Sequence, residues 1–299
     1  MNSAAPQSPA GLRQGLALAA LLAGAVCIAL SPIFVRVSET GPTATAFWRV
    51  ALALPVLWPL YLLAGRGGAP EVTYPATRWL LGAAGVAFTG DLFFWHFSVQ
   101  LTSVANSTLL ANLAAIFVTL AAWLLFRQTP SRLFLVGLAT ALAGVAMLVS
   151  TSFTFSPTAL AGDACGVITA IFYAWYLLSV KSLRDRGAGT LRLMTVSTAI
   201  TAALLLPIAL ATGEQMLPSS GAGWLKLVGI ALISHACGQG LIAYALAHLP
   251  AAFSSVSLLV QPVMAGVFAW VLLGEPLVAL QVAGGAVVLV GIYLARRGS

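Results

Sequence analysis

The side chains in this sequence that could do chemistry are few, and most stand inside long apolar runs. Arg49 and Asp91 are charged, His96 and His235 are imidazoles, and Asn112, Gln239 and Gln261 are amides. A charge within hydrocarbon is costly unless it is paired or faces a wet cavity, so each of these is a functional candidate. Asp91 stands four residues before Trp95 and five before His96, and it suits a cation or a proton, or a bond to a neighbouring helix. Arg49, beside Trp48, suits a carboxylate or another anion; it can equally snorkel to the surface or pair with Asp91. Thr108 and Asn112 lie four apart and share a helical face, as do Ser257 with Gln261 and His235 with Gln239. Trp48, Trp95, Tyr173, Tyr176 and Tyr244 make an aromatic set fitted to a ligand with an apolar body and a polar end.

The pattern lacks enzyme signatures. There is no GxxxxGK, HExxH or GxSxG motif, and Asp91, Asp163 and His235 are too scattered to pair as acid and base. Asp163 is expected to cap a helix N-terminus. Cys27, Cys165 and Cys237 sit in apolar runs without metal-ligand spacing and are expected to be packing residues; no metal or other cofactor is called for. A channel would show a continuous polar stripe or filter repeats, which the sequence does not display.

The elements that must position these residues follow from composition. The chain has 299 residues, 60% hydrophobic and 7% charged, with mean hydropathy +1.00. A soluble domain carries roughly 25% charged residues. The fold class is therefore an all-α polytopic membrane protein, with lipid as its surroundings. Apolar runs of about the ~20 residues a membrane helix needs predict ten helices. They cover about 15–35, 42–64, 79–99, 103–125, 132–150, 159–180, 190–212, 224–246, 251–273 and 278–295. Residues 1–12 read as a disordered tail, and the first run as a retained helix rather than a cleaved signal. Pro32 and Pro262 are expected kinks and gating points.

With the N-terminus inside, Arg13, Arg66, Arg78, Arg127, Arg132, Lys181, Arg184, Arg186, Arg192, Arg296 and Arg297 all fall on the cytoplasmic side. Arg36 and Lys226 fall outside. That bias predicts cytoplasmic termini and a multi-pass protein of the inner (plasma) membrane. The formal charge of +7 is then loop charge, and no nucleic-acid partner is expected.

The stretch 90–127 is echoed at 238–275. One constant shift lays Trp123 on Trp270, Gly137 on Gly284 and Gly144 on Gly291. Five helices per copy means that the copies, 13–150 and 159–297, are inverted about the membrane plane, the usual construction of alternating-access carriers. The predicted fifth and tenth helices carry Gly137, Gly144, Gly284, Gly285 and Gly291 without a deep polar residue, and are expected to brace each half.

The motifs PIFVR at 32–36, FWRVALA at 47–53 and the passage SLLVQPVMAGVFAWVLLGEPLVALQVAGGAVVLVGIYLA resemble the EamA type of the drug/metabolite transporter superfamily, over essentially the whole chain. The first copy departs from that pattern, with Arg127-Gln128 where the second has Gly274-Glu275. The resemblance implies two inverted five-helix repeats around a central cavity and outward transport of small metabolites. The deep Trp, Tyr, Asn and Gln set is most similar to the amino-acid exporter branch, aromatic amino-acid exporters included. The implied protein is a secondary carrier working as a monomer, whose partners are a small-molecule substrate, membrane lipid and, if Asp91 titrates, protons. A multidrug or organic-cation exporter and a non-transporting membrane scaffold are the alternatives.

Overall fold

The computed structural model describes residues 9–65, 75–102, 104–150, 157–274 and 277–299. Most of the expected tail, residues 66–74 and 151–156, and Glu275-Pro276 lie outside the described residues. Among the described residues every regular element is helical. The elements are α1 (Pro9–Ala29), α2 (Ser31–Arg36), α3 (Pro42–Ala51), α4 (Leu54–Gly65), α5 (Pro75–Leu101), α6 (Val104–Asn112), α7 (Ala114–Phe126) and α8 (Arg132–Val149). They continue with α9 (Pro157–Asp185), α10 (Thr190–Ala211), α11 (Gly221–Gly229), a π-helical segment (Ile230–Gln239), α12 (Gly240–Ala245), α13 (Ala251–Ser257), α14 (Val260–Leu273) and α15 (Ala279–Arg297).

The short elements join end to end into longer spans. Nine helical spans among the described residues are long and apolar enough to cross a membrane, and Arg132–Leu148 is a shorter apolar helix. Their outer faces carry bare apolar side chains, such as Leu125 at 73% and Val271 at 64% exposure, which suits them to face lipid tails. The protein is an all-α polytopic membrane protein.

Several spans are broken mid-way. Pro32 sits in the first turn of α2, just past the break at Leu30, because its ring removes an N–H and clashes with the preceding turn. A second break, at Leu52–Ala53, precedes Pro55, and a third, at Leu258–Leu259, precedes Pro262. The break at Leu113, between α6 and α7, has no proline. It is a tightened turn, in which Leu113 N–H donates to the Leu110 carbonyl at 3.1 Å and Ile116 N–H to the Leu113 carbonyl at 2.9 Å. Asn112 supports it by donating from Nδ2 to the Thr108 carbonyl at 2.7 Å. One expectation is corrected: α9 begins at Pro157, so Asp163 lies inside the helix rather than at its cap. Proline's fixed φ suits a first helical turn and starts the helix early.

Two apolar clusters hold the helices together. The larger joins α1, α3, α5, α9, α10 and α12 through residues such as Leu21, Val50, Phe88, Tyr176, Leu205 and Ile242. The smaller seals α8 against α15 and the ends of α7 and α13 through Phe134, Ala141, Val145, Val288 and Ala295. Helices α8 and α15 run antiparallel at backbone contact: a Cβ on Gly144 would stand 2.6 Å from Val288 N, and one on Gly291 would stand 2.4 Å from Ala141 N. Van der Waals packing of small residues is what associates helices where lipid is as apolar as the side chains.

Candidate functional site

The helix breaks converge on a cavity of about 90 Å³. That is several times the roughly 10–15 Å³ an ordered water needs. Its wall is drawn from both halves of the chain: Ile28 and Ala29 of α1, Ser31 and Pro32 of α2, Arg49 of α3, and Asp91, Leu92 and Trp95 of α5. Thr108, Ala111 and Asn112 of α6, Thr169 and Tyr173 of α9, Gln239 of the π segment, and Gln261 and Ala265 of α14 complete it.

Unsatisfied polar atoms gather on this wall. Buried polar groups are almost always hydrogen-bonded, and each exception needs a reason. Ser31 Oγ, Arg49 Nε, Thr169 Oγ1, Tyr173 OH, Gln239 Oε1 and Gln261 Nε2 are buried without a partner, and all six residues line this cavity. The Tyr173 hydroxyl faces the amides of Gln239 and Gln261, yet none of those three atoms closes a bond of proper geometry. Arg49 is 3% exposed and Asp91 8%. They interact electrostatically, without an ion pair within 4.0 Å. The void therefore offers donors at Arg49 and Gln261, acceptors at Asp91 and Gln239, and hydroxyls that serve as either. It is equipped to hold a small molecule carrying polar groups of both kinds.

The other candidate residues are placed elsewhere. Trp48 points away from the cavity and donates from Nε1 to the Met216 carbonyl at 2.7 Å, with Trp224 edge-on at 5.1 Å. His96 is fully buried and bonds through Nδ1 to the Leu92 carbonyl at 2.7 Å. His235 Nε2 shares a 2.8 Å hydrogen bond with the Thr198 hydroxyl, tying the π segment to α10. Tyr176 packs on Phe88 behind Tyr173, their centroids 4.7 Å apart. Tyr244 is part-exposed beside His248. Ser257 donates to the Phe253 carbonyl one turn back, the local bond that often occupies helical hydroxyls. Pro262 is not on the cavity wall; it follows Gln261, which is. Ser31 and Thr169 were not among the sequence candidates. Thr169 could have been found from its place one turn before Tyr173, whereas Ser31 had only its neighbour Pro32 to mark it.

The model of the EamA-like transporter family matches residues 15–150 and 160–297. The chain belongs to the EamA-like transporter family. It is similar to two proteins of Archaeoglobus fulgidus described as uncharacterized transporters. One is 24% identical over 281 residues, 93% of this chain and 96% of the relative; the other is 27% identical over 276 residues, 88% and 91%. A solved crystal structure superposes with a TM-score of 0.74 at 19% identity, covering 95% of this chain and 98% of that one, which shows a shared fold alone. This EamA-like protein is thus a membrane transporter of small molecules and not an enzyme. Among its described residues no group of three or more His, Cys, Asp or Glu side chains is placed to hold a metal ion.

Proposed function

We propose that this EamA-like transporter exports amino acids, aromatic ones included, or similarly small amphipathic metabolites by alternating access. In this reading ten helices form two inverted five-helix repeats, with both termini on the cytoplasmic side of the inner membrane, and the monomer is the working unit. The observation that carries it is the set of six partnerless polar groups, Arg49 Nε among them, on one void that also receives Asp91. A substrate carboxylate is matched to Arg49, an ammonium to Asp91, and the amides and Tyr173 hold further polar atoms. Trp95 and Tyr173 supply flat apolar faces for the side chain. The breaks at Leu30, Leu113 and Leu258–Leu259 lie on spans that contribute to the wall, so bending there reshapes the site without disturbing α8 and α15.

Counterflow in proteoliposomes over a panel of amino acids, sugars and organic cations at two pH values tests this. Wild-type protein is expected to exchange amino acids. Arg49→Gln and Asp91→Asn should each lower exchange by at least tenfold, given the roughly 1.5–3 kcal/mol a hydrogen bond to a charged group contributes. Absence of amino-acid exchange would refute the proposal. A second reading, organic-cation export, is favoured by Asp91 alone, which lines the cavity without an ion pair. It predicts cation exchange that Asp91→Asn abolishes and Arg49→Gln spares.

A further inference from the structure

Two carboxylates that no sequence motif marked sit on one face of the protein, in loops that belong to different halves of the chain. Glu214, between α10 and α11, accepts from Thr43 N–H at 2.8 Å, Ala44 N–H at 3.1 Å and the Thr43 hydroxyl at 2.9 Å. It caps the first turn of α3, whose own cap residue, Gly41, has no side chain to do so. Glu39, between α2 and α3, accepts from the N–H groups of Ser219 and Ser220 at 3.0 Å each and from their hydroxyls at 3.0 and 2.7 Å, with Lys226 Nζ at 3.5 Å. Each loop's acid thus reaches the start of the helix following the other loop: Glu214 satisfies first-turn N–H groups of α3, and Glu39 holds the two residues that lead into α11. First-turn groups are otherwise orphaned, and the positive end of a helix favours a negative charge.

Two glycines make the exchange possible. A Cβ on Gly41 would stand 2.4 Å from Glu214 Oε2, and one on Gly223 would stand 2.5 Å from Glu39 Oε2. Gly41 N–H also donates to the Gln215 carbonyl at 3.1 Å, and the Trp48 bond to Met216 completes the seam. Thr43 and Arg49 are six residues apart on α3, so the seam lies about 9 Å along that helix from the cavity wall.

We infer that this reciprocal bonding is a latch: it holds the 36–45 and 212–224 face of the cavity shut, and it parts when the carrier opens toward that face. The inference rests on the alternating-access reading. Polar bonds at a water-exposed seam exchange for water bonds at small net free energy, which suits a contact that must form and break in every cycle.

The test uses full-length protein with Cys27, Cys165 and Cys237 replaced by serine and a reporter thiol placed on the cavity wall by Ala111→Cys. Adding Glu39→Gln and Glu214→Gln should raise labelling of the reporter by a membrane-impermeant maleimide, applied to the latch face, at least about fivefold. Separately, Glu39→Cys with Ser220→Cys, without the reporter, should crosslink under oxidant, stop counterflow, and recover when reduced. An unchanged labelling rate, or undiminished counterflow after complete crosslinking, would overturn the latch. Labelling needs no known cargo, so it judges the latch even if the amino-acid proposal fails. Leu217→Cys, labelled in intact cells, reports independently on which side of the membrane the face lies.

Discussion

Replacing Gly144 with alanine and, separately, Gly82 with alanine should move stability in opposite directions. Both glycines are in helices, where the exchange alone gains about 0.8–1 kcal/mol from helix propensity. They differ in what the new methyl meets. At Gly82 there is nothing within 4 Å, so the gain stands. At Gly144 the methyl meets Val288 N at 2.6 Å, the Gly284 carbonyl oxygen at 2.7 Å and Val288 Cγ2 at 2.9 Å, well inside ordinary contact. Two of these atoms are backbone and have no rotamer to change, so α8 and α15 must separate, which puts the change toward the upper part of the 1–3 kcal/mol range for overpacking. Net, Gly144→Ala should cost about 2 kcal/mol and Gly82→Ala should contribute about 1 kcal/mol. At about 2–4 °C per kcal/mol, the two variants should differ by roughly 6–12 °C in Tm. Tryptophan-fluorescence melting in detergent at one fixed scan rate measures this. A Gly144→Ala protein as stable as wild type, or a Gly82→Ala protein that falls alongside it, would refute the view that α8 and α15 are held by backbone contact.

Arg127, with φ 53°, is a non-glycine residue in the left-handed region, and the shift that relates the two copies places it on Gly274, with φ 69°. Arg127→Gly should therefore relieve about 1–2 kcal/mol of strain, less about 0.5–1 kcal/mol of chain entropy, and raise Tm by a few degrees in the same assay. Glu39 is held down to about 2 from its ordinary carboxylate value, chiefly by its hydrogen bond to Ser220. Its folded value is depressed, so its contribution is complete above about pH 4.5 and is lost as pH falls toward 2. The Tm gap between wild type and Glu39→Gln should be flat from pH 7 to about 5 and then close; a gap that narrows between pH 7 and 5 would contradict this. The thiols of Cys27 and Cys237 lie 4.0 Å apart between α1 and the π segment. A lipid-soluble oxidant should join them within one chain, read by peptide mass, and Cys237→Ser should prevent it.

Much of the frame was legible because lipid imposes one strong rule: apolar runs of helix length must be helices. The kinks at Pro32 and Pro262 were legible for the same kind of reason, since proline acts locally. The break at Leu113 was not, because it depends on a tightened turn and on the Asn112 side chain rather than on a breaker residue. Among the candidates, Arg49, Asp91, Trp95, Thr108, Asn112, Tyr173, Gln239 and Gln261 meet around one void. Trp48 does not, since one residue's step from Arg49 turns its side chain about 100° around the helix and toward the Met216 carbonyl. His96 is similarly turned from Trp95. The imidazoles drew attention as rare groups at depth, but His235 was claimed by Thr198, a partner that only tertiary packing supplies. Glu39 and Glu214 were invisible for a related reason. Acids in loops are common, and what gives these two meaning is the helix start each one reaches across the molecule.

The antiparallel contact of α8 and α15 has an electrical consequence. The Ser131 hydroxyl accepts from Phe134 N–H at the start of α8 and donates to the Gly298 carbonyl just past the end of α15, so the positive end of one helix lies against the negative end of the other. Their dipoles oppose, and Arg132, Arg296 and Arg297 all sit at that same end rather than along the span. Membrane voltage, which acts at about 2.3 kcal/mol per elementary charge per 100 mV, thus has little purchase on the pair. The charges of Arg49 and Asp91 cancel when both are ionised. Any voltage dependence of flux would then report the net charge moved per cycle, substrate and any coupled proton together, and traces recorded at two pH values would separate the two.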